Sequence, residues 1–152
     1  MEHMTAAQYQ AYLARKGTKQ PKHRNKMVYV YEDGFAAEHK IDGHGAVAER
    51  FDSEKEHARW KQLQILERKQ FISRLERQVV MEIAPAFTGR DGKKHRAITY
   101  KADFTYCEGG VEIVEDVKGF DEKRHIYLTT EAFDLKWKLL QAKYPDKLFR
   151  LF

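Results

Sequence analysis

Among the 152 residues, Glu56, Asp103, Asp116 and Lys118 have the types and the spacing to do chemistry together. Gly109-Gly110 lies between two strand-like runs, and a two-residue turn there pairs positions whose numbers sum to 219. Asp103 then faces Asp116 and Lys101 faces Lys118, with paired Cα atoms about 4.5–5.5 Å apart. A loop one residue longer sets Asp103 against Glu115 instead. Either register puts two carboxylates side by side, and like charges so placed destabilise a sheet. A divalent cation is the simple remedy: hard oxygen ligands suit Mg²⁺ or Mn²⁺, which polarise a phosphate and activate water for in-line attack. The plainer reading is a set of cross-strand ion pairs with the neighbouring lysines. Against it, Val111, Ile113, Val114 and Val117 make the second strand apolar on both faces, like a central strand, where charge needs a reason.

Glu56 enters through helical geometry. Ser53 is an N-cap for a helix expected over about 54–70, and Glu56, Trp60 and Leu63 stand at i, i+4 and i+7 on its core-facing stripe. Ser53-x-x-Glu56 is also a capping box, which requires no catalysis of its glutamate. Arg59, Gln62 and Lys69 read as solvated helix surface. Lys136 flanks the stripe Phe133, Trp137, Leu140 and Tyr144 of a later helix, from where it reaches toward phosphate or snorkels to water.

The elements that must position these residues follow from pattern and punctuation. Thr5 and Gln8 cap a short helix to about Arg15, and Gly17 ends it; 18–26 is a lysine-rich linker to a strand at 27–31. From 33 to 50 the glycines at 34, 43 and 45 and the lack of a clear period suggest a loop or ragged hairpin. After the Ser53 helix come strands over 78–87 and 97–106, with turn chemistry at 88–92, then a strand over 111–118. A polar loop past Gly119 leads to a helix over 131–143 capped by Thr130, and 148–152 is a last strand. The order predicts an α/β fold with a central mixed sheet flanked by helices. The expected organisation is a basic arm over 1–26 and one domain over 27–152.

Asp103, then Asp116-Val117-Lys118, with a glutamate on a preceding helix, resembles the signature of the PD-(D/E)XK nuclease superfamily. In more detail, Phe51-Asp52-Ser53-x-x-Glu56, Arg96-x-Ile98-Thr99-Tyr100-x-Ala102-Asp103-Phe104 and Glu115-Asp116-Val117-Lys118-Gly119 look like a family of small phage and prophage endonucleases, some of which are similar to Holliday-junction resolvases. Ala102 stands where the superfamily name has proline, a residue that carries no chemistry. The resemblance implies a restriction-endonuclease-like core and Mg²⁺- or Mn²⁺-dependent hydrolysis of DNA. By it, Asp103 and Asp116 would hold the metal with the Val117 carbonyl, and Glu56 would complete the shell. Lys118 would position or deprotonate the attacking water. A branched substrate in phage recombination, replication or packaging, and a homodimer, are implied by the same analogy; nicking or exonuclease action on linear DNA is the variant within the class.

Bulk properties agree with a polyanion partner. The net charge of +5 sits wholly in the first 27 residues, where Arg15, Lys16, Lys19, Lys22, Arg24 and Lys26 face Glu2 alone. Such an arm would grip the DNA backbone through Lys16, Lys19, Lys22, Arg24 and Lys26 and release counterions. With one cysteine, no long apolar run and no leader-like start, a cytoplasmic, membrane-free location is expected. A histidine-centred nuclease finds no support, because the seven histidines lack ligand-like spacing. The alternative from another class is a non-catalytic nucleic-acid-binding or assembly protein, in which the acidic cluster pairs with lysines.

Overall fold

The computed structural model describes residues 26–41 and 43–152. The expected helix from Thr5 to Arg15 and the arm residues Lys16, Lys19, Lys22 and Arg24 lie outside them. The described residues divide between Asp52 and Ser53 into two compact units.

In the first unit β1 (Val28–Tyr31) pairs antiparallel with β2 (Ala36–Ala37) on one side and β3 (Val47–Phe51) on the other, giving the order β2-β1-β3. The stretch expected as a loop or ragged hairpin is thus a small sheet. Its strands are too short to carry a period, and β1 bulges against β3 between Val30 and Tyr31. The Tyr31 hydroxyl accepts from the Ile41 amide at 2.5 Å and its ring stacks on His44. Lys26 Nζ, expected to grip DNA, lies 2.9 Å from the Glu38 carboxylate on the exposed surface.

The second unit carries the mixed sheet. It contains α1 (Glu54–Arg68), β4 (Ile72–Ala84), β5 (Phe87–Thr88), β6 (Lys94–His95), β7 (Ile98–Glu108) and β8 (Val111–Asp116). These are followed by β9 (Gly119–Asp121), β10 (Ile126–Leu128), α2 (Glu131–Lys143) and β11 (Leu148–Leu151). The four-stranded sheet has the order β11-β8-β7-β4, with β11 parallel to β8 and the other pairs antiparallel. The fold is therefore α/β with a central mixed sheet flanked by two helices.

Each face of the sheet closes under one helix. Leu63 of α1 packs with Ile72, Phe104, Tyr106 and Ile113. Trp137 and Leu140 of α2 pack with Met81, Ala102 and Val114 on the other. Ile113 and Val114, successive residues of β8, go to opposite helices, as a two-residue period requires. Both caps form as expected: Ser53 Oγ accepts from the Glu56 amide at 3.0 Å, and Thr130 Oγ1 from Phe133 at 3.2 Å.

Two segments differ from the sequence reading. β4 starts at Ile72, six residues before the expected strand, because Arg74 and Gln78 take positive φ (54° and 57°) and break the alternation that would reveal it. The polar loop past Gly119 is a short hairpin of β9 and β10, with His125 at φ 52° in its turn. No helix among the described residues is long and apolar enough to cross a membrane.

Candidate active site

The β7–β8 hairpin sets the register of the site. Gly109 and Gly110 both have positive φ (58° and 86°), the two-residue turn that fits the twist of the flanking strands. The ladder runs from Glu108 opposite Val111 to Phe104 opposite Glu115, so paired numbers sum to 219. Of the two registers open from sequence, this is the one that continues to Asp103 opposite Asp116.

At Asp103 the regular ladder stops and β7 changes face. Phe104 and Tyr106 belong to the core under α1, whereas Ala102, two residues away, belongs to the core under α2. On β4 the matching irregularity is Gln78, whose positive φ falls between the pairs Arg77–Phe104 and Val79–Ala102. This break turns Asp103 toward its partners. Its Oδ2 accepts from the Val117 amide at 2.8 Å and its Oδ1 from Gln78 Nε2 at 3.4 Å. The same Gln78 amide group donates to Glu56 Oε1 at 3.2 Å, so Gln78 bridges Glu56 and Asp103. Glu56 is buried, and Arg77 stands 3.8 Å from its carboxylate.

Asp116 is also buried. It accepts at Oδ1 from the Tyr100 hydroxyl and at Oδ2 from Lys118 Nζ, whose ammonium lies 4.4 Å from the Phe133 ring centroid. The backbone at Lys118 is pinned on both sides: its amide donates to the Phe152 carbonyl at 3.0 Å, and its carbonyl accepts from Lys55 Nζ at 2.7 Å. Burial pushes the Asp103 carboxyl up to about 7, with the Asp116 and Glu56 charges adding to the rise and the Val117 amide and Lys118 opposing it. Burial and the Asp116 charge likewise hold the Tyr100 phenol well above its ordinary range, so it stays a donor.

The structure therefore brings Glu56, Asp103, Asp116 and Lys118 into one cluster. Among the described residues, no three acidic, histidine or cysteine side chains converge in metal-binding geometry, and the carboxylates are satisfied by the protein's own donors. Their oxygens are of the hard type that Mg²⁺ or Mn²⁺ takes as ligands. Lys136 projects along α2 and donates to the Thr99 carbonyl at 3.3 Å.

The sequence matches the model of a protein family of unknown function, DUF1064, over residues 35–151, well over half of the chain. The chain belongs to the DUF1064 family. No curated protein and no solved structure is matched. In this DUF1064 chain the matched span takes in Glu56, Asp103, Asp116 and Lys118 and starts after the basic arm.

Three further residues shape the site of the DUF1064 chain without having been legible. Gln78 and Tyr100 hold carboxylates from strands whose partners only the fold supplies. Arg59, expected as solvated surface, is instead half-buried against Glu115, with Nε–Oε1 and Nη2–Oε2 distances of 2.6 and 2.8 Å. Glu115 has no solvent exposure and also accepts from the Tyr106 hydroxyl at 2.6 Å. The one available hint was an arginine a single position away from the Glu56–Trp60 stripe.

Proposed function

We propose that this protein is a metal-dependent nuclease that hydrolyses the phosphodiester backbone of DNA, on a restriction-endonuclease-like core. The observation that carries the reading is the register: Asp103 and Asp116 meet on neighbouring strands, with Lys118 two residues on and Glu56 tied in through Gln78. Asp103 and Asp116 would hold Mg²⁺ or Mn²⁺ with the Val117 carbonyl, and Glu56 would complete the shell. A bound cation of that kind supplies phosphate polarisation and a water of lowered pKa. Lys118, pinned at its backbone and shielded by Phe133, orients the attacking water and balances charge on the phosphate. Tyr100 keeps Asp116 aimed, and Gln78 spaces Glu56 from Asp103. A branched substrate and a homodimer belong to this proposal through the resemblance alone.

The Lys118–Asp116 ion pair favours a second reading, a non-catalytic nucleic-acid-binding protein whose acidic cluster is structural. With Arg77 beside Glu56, that pair leaves only Asp103 of the cluster without an ion-pair partner among the described residues. The deciding experiment incubates wild type, Lys118→Ala and Asp116→Asn with labelled four-way junction, flap, linear duplex and single-stranded DNA in Mg²⁺, Mn²⁺ or EDTA. Metal-dependent cutting lost in both variants is expected, and the preferred substrate names the job. Binding without cutting under any metal would establish the second reading.

A further inference from the structure

Beyond the carboxylates, the sheet narrows to a two-stranded ribbon. The β7–β8 ladder ends at Phe104, while β4 and β7 stay paired as far as Ala84 opposite Ile98. Those six further residues carry the ribbon about 20 Å beyond Phe104, with Tyr100 of the site along the way. It ends in the β5–β6 hairpin, where nearly every residue from 85 to 99 is exposed.

That hairpin is built, and it is basic. Phe87 and His95 stack across it at 4.6 Å and 16°. The tip closes through Gly89 N to Lys93 O at 2.8 Å and Gly92 N to Gly89 O at 2.9 Å. Residues 84–101 hold Arg90, Lys93, Lys94, Arg96 and Lys101 against Asp91 alone. Asp91 accepts from the Lys93 backbone amide at 3.1 Å. Among the described residues, none of the five cations forms a side-chain ion pair, whereas Lys143, Lys147 and Arg150 are matched to Glu82, Glu112 and Glu108. Glu82, the nearest carboxylate on the ribbon, is thus already neutralised. Unmatched charge on a rigid hairpin costs self-repulsion, which a polyanion relieves.

We propose that the β5–β6 hairpin is a phosphate-gripping tongue that lies on double-stranded DNA to one side of the bond being cut. Lys136, whose Nζ rests on the Thr99 carbonyl, adds a further cation to the ribbon. A two-stranded ribbon is of a size that the major groove admits, and lysines and arginines on it contact phosphates without reading sequence. The inference rests on the nuclease reading for its substrate and adds a second contact, remote from the chemistry, that fixes the register of the duplex.

The test compares wild type with Lys93→Ala/Lys94→Ala/Arg96→Ala, binding a linear duplex in EDTA across a salt series and cutting it in Mg²⁺. These side chains are exposed and crowd like charge, so the melting temperature should not fall. Loss of three contacts should flatten the slope of log K against log salt by about 2.7, so that the deficit of the variant shrinks about 40-fold between about 50 and 200 mM salt. Lys93→Arg/Lys94→Arg should bind like wild type. Unchanged affinity and slope with normal cutting would overturn the tongue and leave the nuclease standing. Failure of wild type to bind duplex would overturn the tongue alone; failure to cut any DNA of the panel under any metal would overturn the nuclease reading as well. Weakened binding to anionic phosphatidylserine vesicles with DNA binding intact would assign the hairpin to a membrane surface and overturn the proposal.

Discussion

Arg59 and Glu115 form a bidentate ion pair between α1 and β8, and Glu115 sits directly before Asp116. The carboxylate has no exposure and the arginine side chain 12%. Phe152 covers the guanidinium, its ring centroid 4.0 Å from Arg59 Cζ. Removing the arginine leaves the buried carboxylate without its cation, so Arg59→Ala should destabilise the fold by about 3–5 kcal/mol. Arg59→Met/Glu115→Leu should recover most of that loss, since apolar replacement of both partners removes the desolvation penalty. Urea titration of the three proteins checks it; a single-variant cost below about 1 kcal/mol would mean the pair behaves as a surface bridge.

Gln78 separates conformational strain from hydrogen bonding. Its φ of 57° is a left-handed conformation that costs an L-residue roughly 1–2 kcal/mol, while its amide bridges Glu56 and Asp103. Both Gln78→Ala and Gln78→Gly delete the bridge, but only glycine relieves the backbone. Gln78→Gly should therefore be the more stable variant by about 1 kcal/mol, measured by chemical denaturation. Equal stabilities would refute the strain.

The crowding at Asp103 has a pH signature in the metal-free protein. Its carboxyl is raised from 3.8 in the unfolded chain to about 7 in the fold, mainly by burial. A group whose folded pKa is raised supports the fold fully below its unfolded pKa and loses that support as pH rises through the folded value. In EDTA, wild type should thus lose stability between about pH 4 and 7 from this group, and Asp103→Asn should not. Thermal unfolding at pH 5 and pH 8 tests the sign: the variant gains on wild type at the higher pH. A variant that loses ground to wild type on raising the pH would show that the Val117 amide and Lys118 outweigh burial.

Cation binding should show in the same assay. If the carboxylates hold Mg²⁺ or Mn²⁺, saturating metal at 100 times Kd stabilises wild type by about 2.7 kcal/mol at neutral pH. Asp116→Asn should abolish that gain, and Lys118→Ala should keep or enlarge it by freeing Asp116. Calorimetric titration distinguishes this from a general salt effect. Equal stabilisation of all three proteins would speak for the structural reading of the cluster.

Several parts of this molecule were decided by the sequence alone. Ser53 and Thr130 as caps, the apolar stripes of α1 and α2, and the Gly109-Gly110 turn are local, and short-range geometry suffices to specify them. The turn left two registers open, each setting carboxylates side by side, and the ladder chose the one that pairs Phe104 with Glu115 and ends just before Asp103 and Asp116. What only the tertiary structure decided depends on partners far apart in the chain. Arg59 lay beside the core stripe and read as surface until β8 brought a buried carboxylate to it. Gln78 and Tyr100 looked like ordinary strand residues, because the face change at Asp103 arises from pairing between β4 and β7 and leaves no period to read. The turn chemistry at 88–92 gave no role to the basic residues around it; only the extension of the ribbon beyond β8 makes those at 90–96 a projecting surface. Local propensity fixes caps and turns within a few residues, whereas a site assembled from two strands and a helix is set by which nonlocal pairs satisfy buried charge.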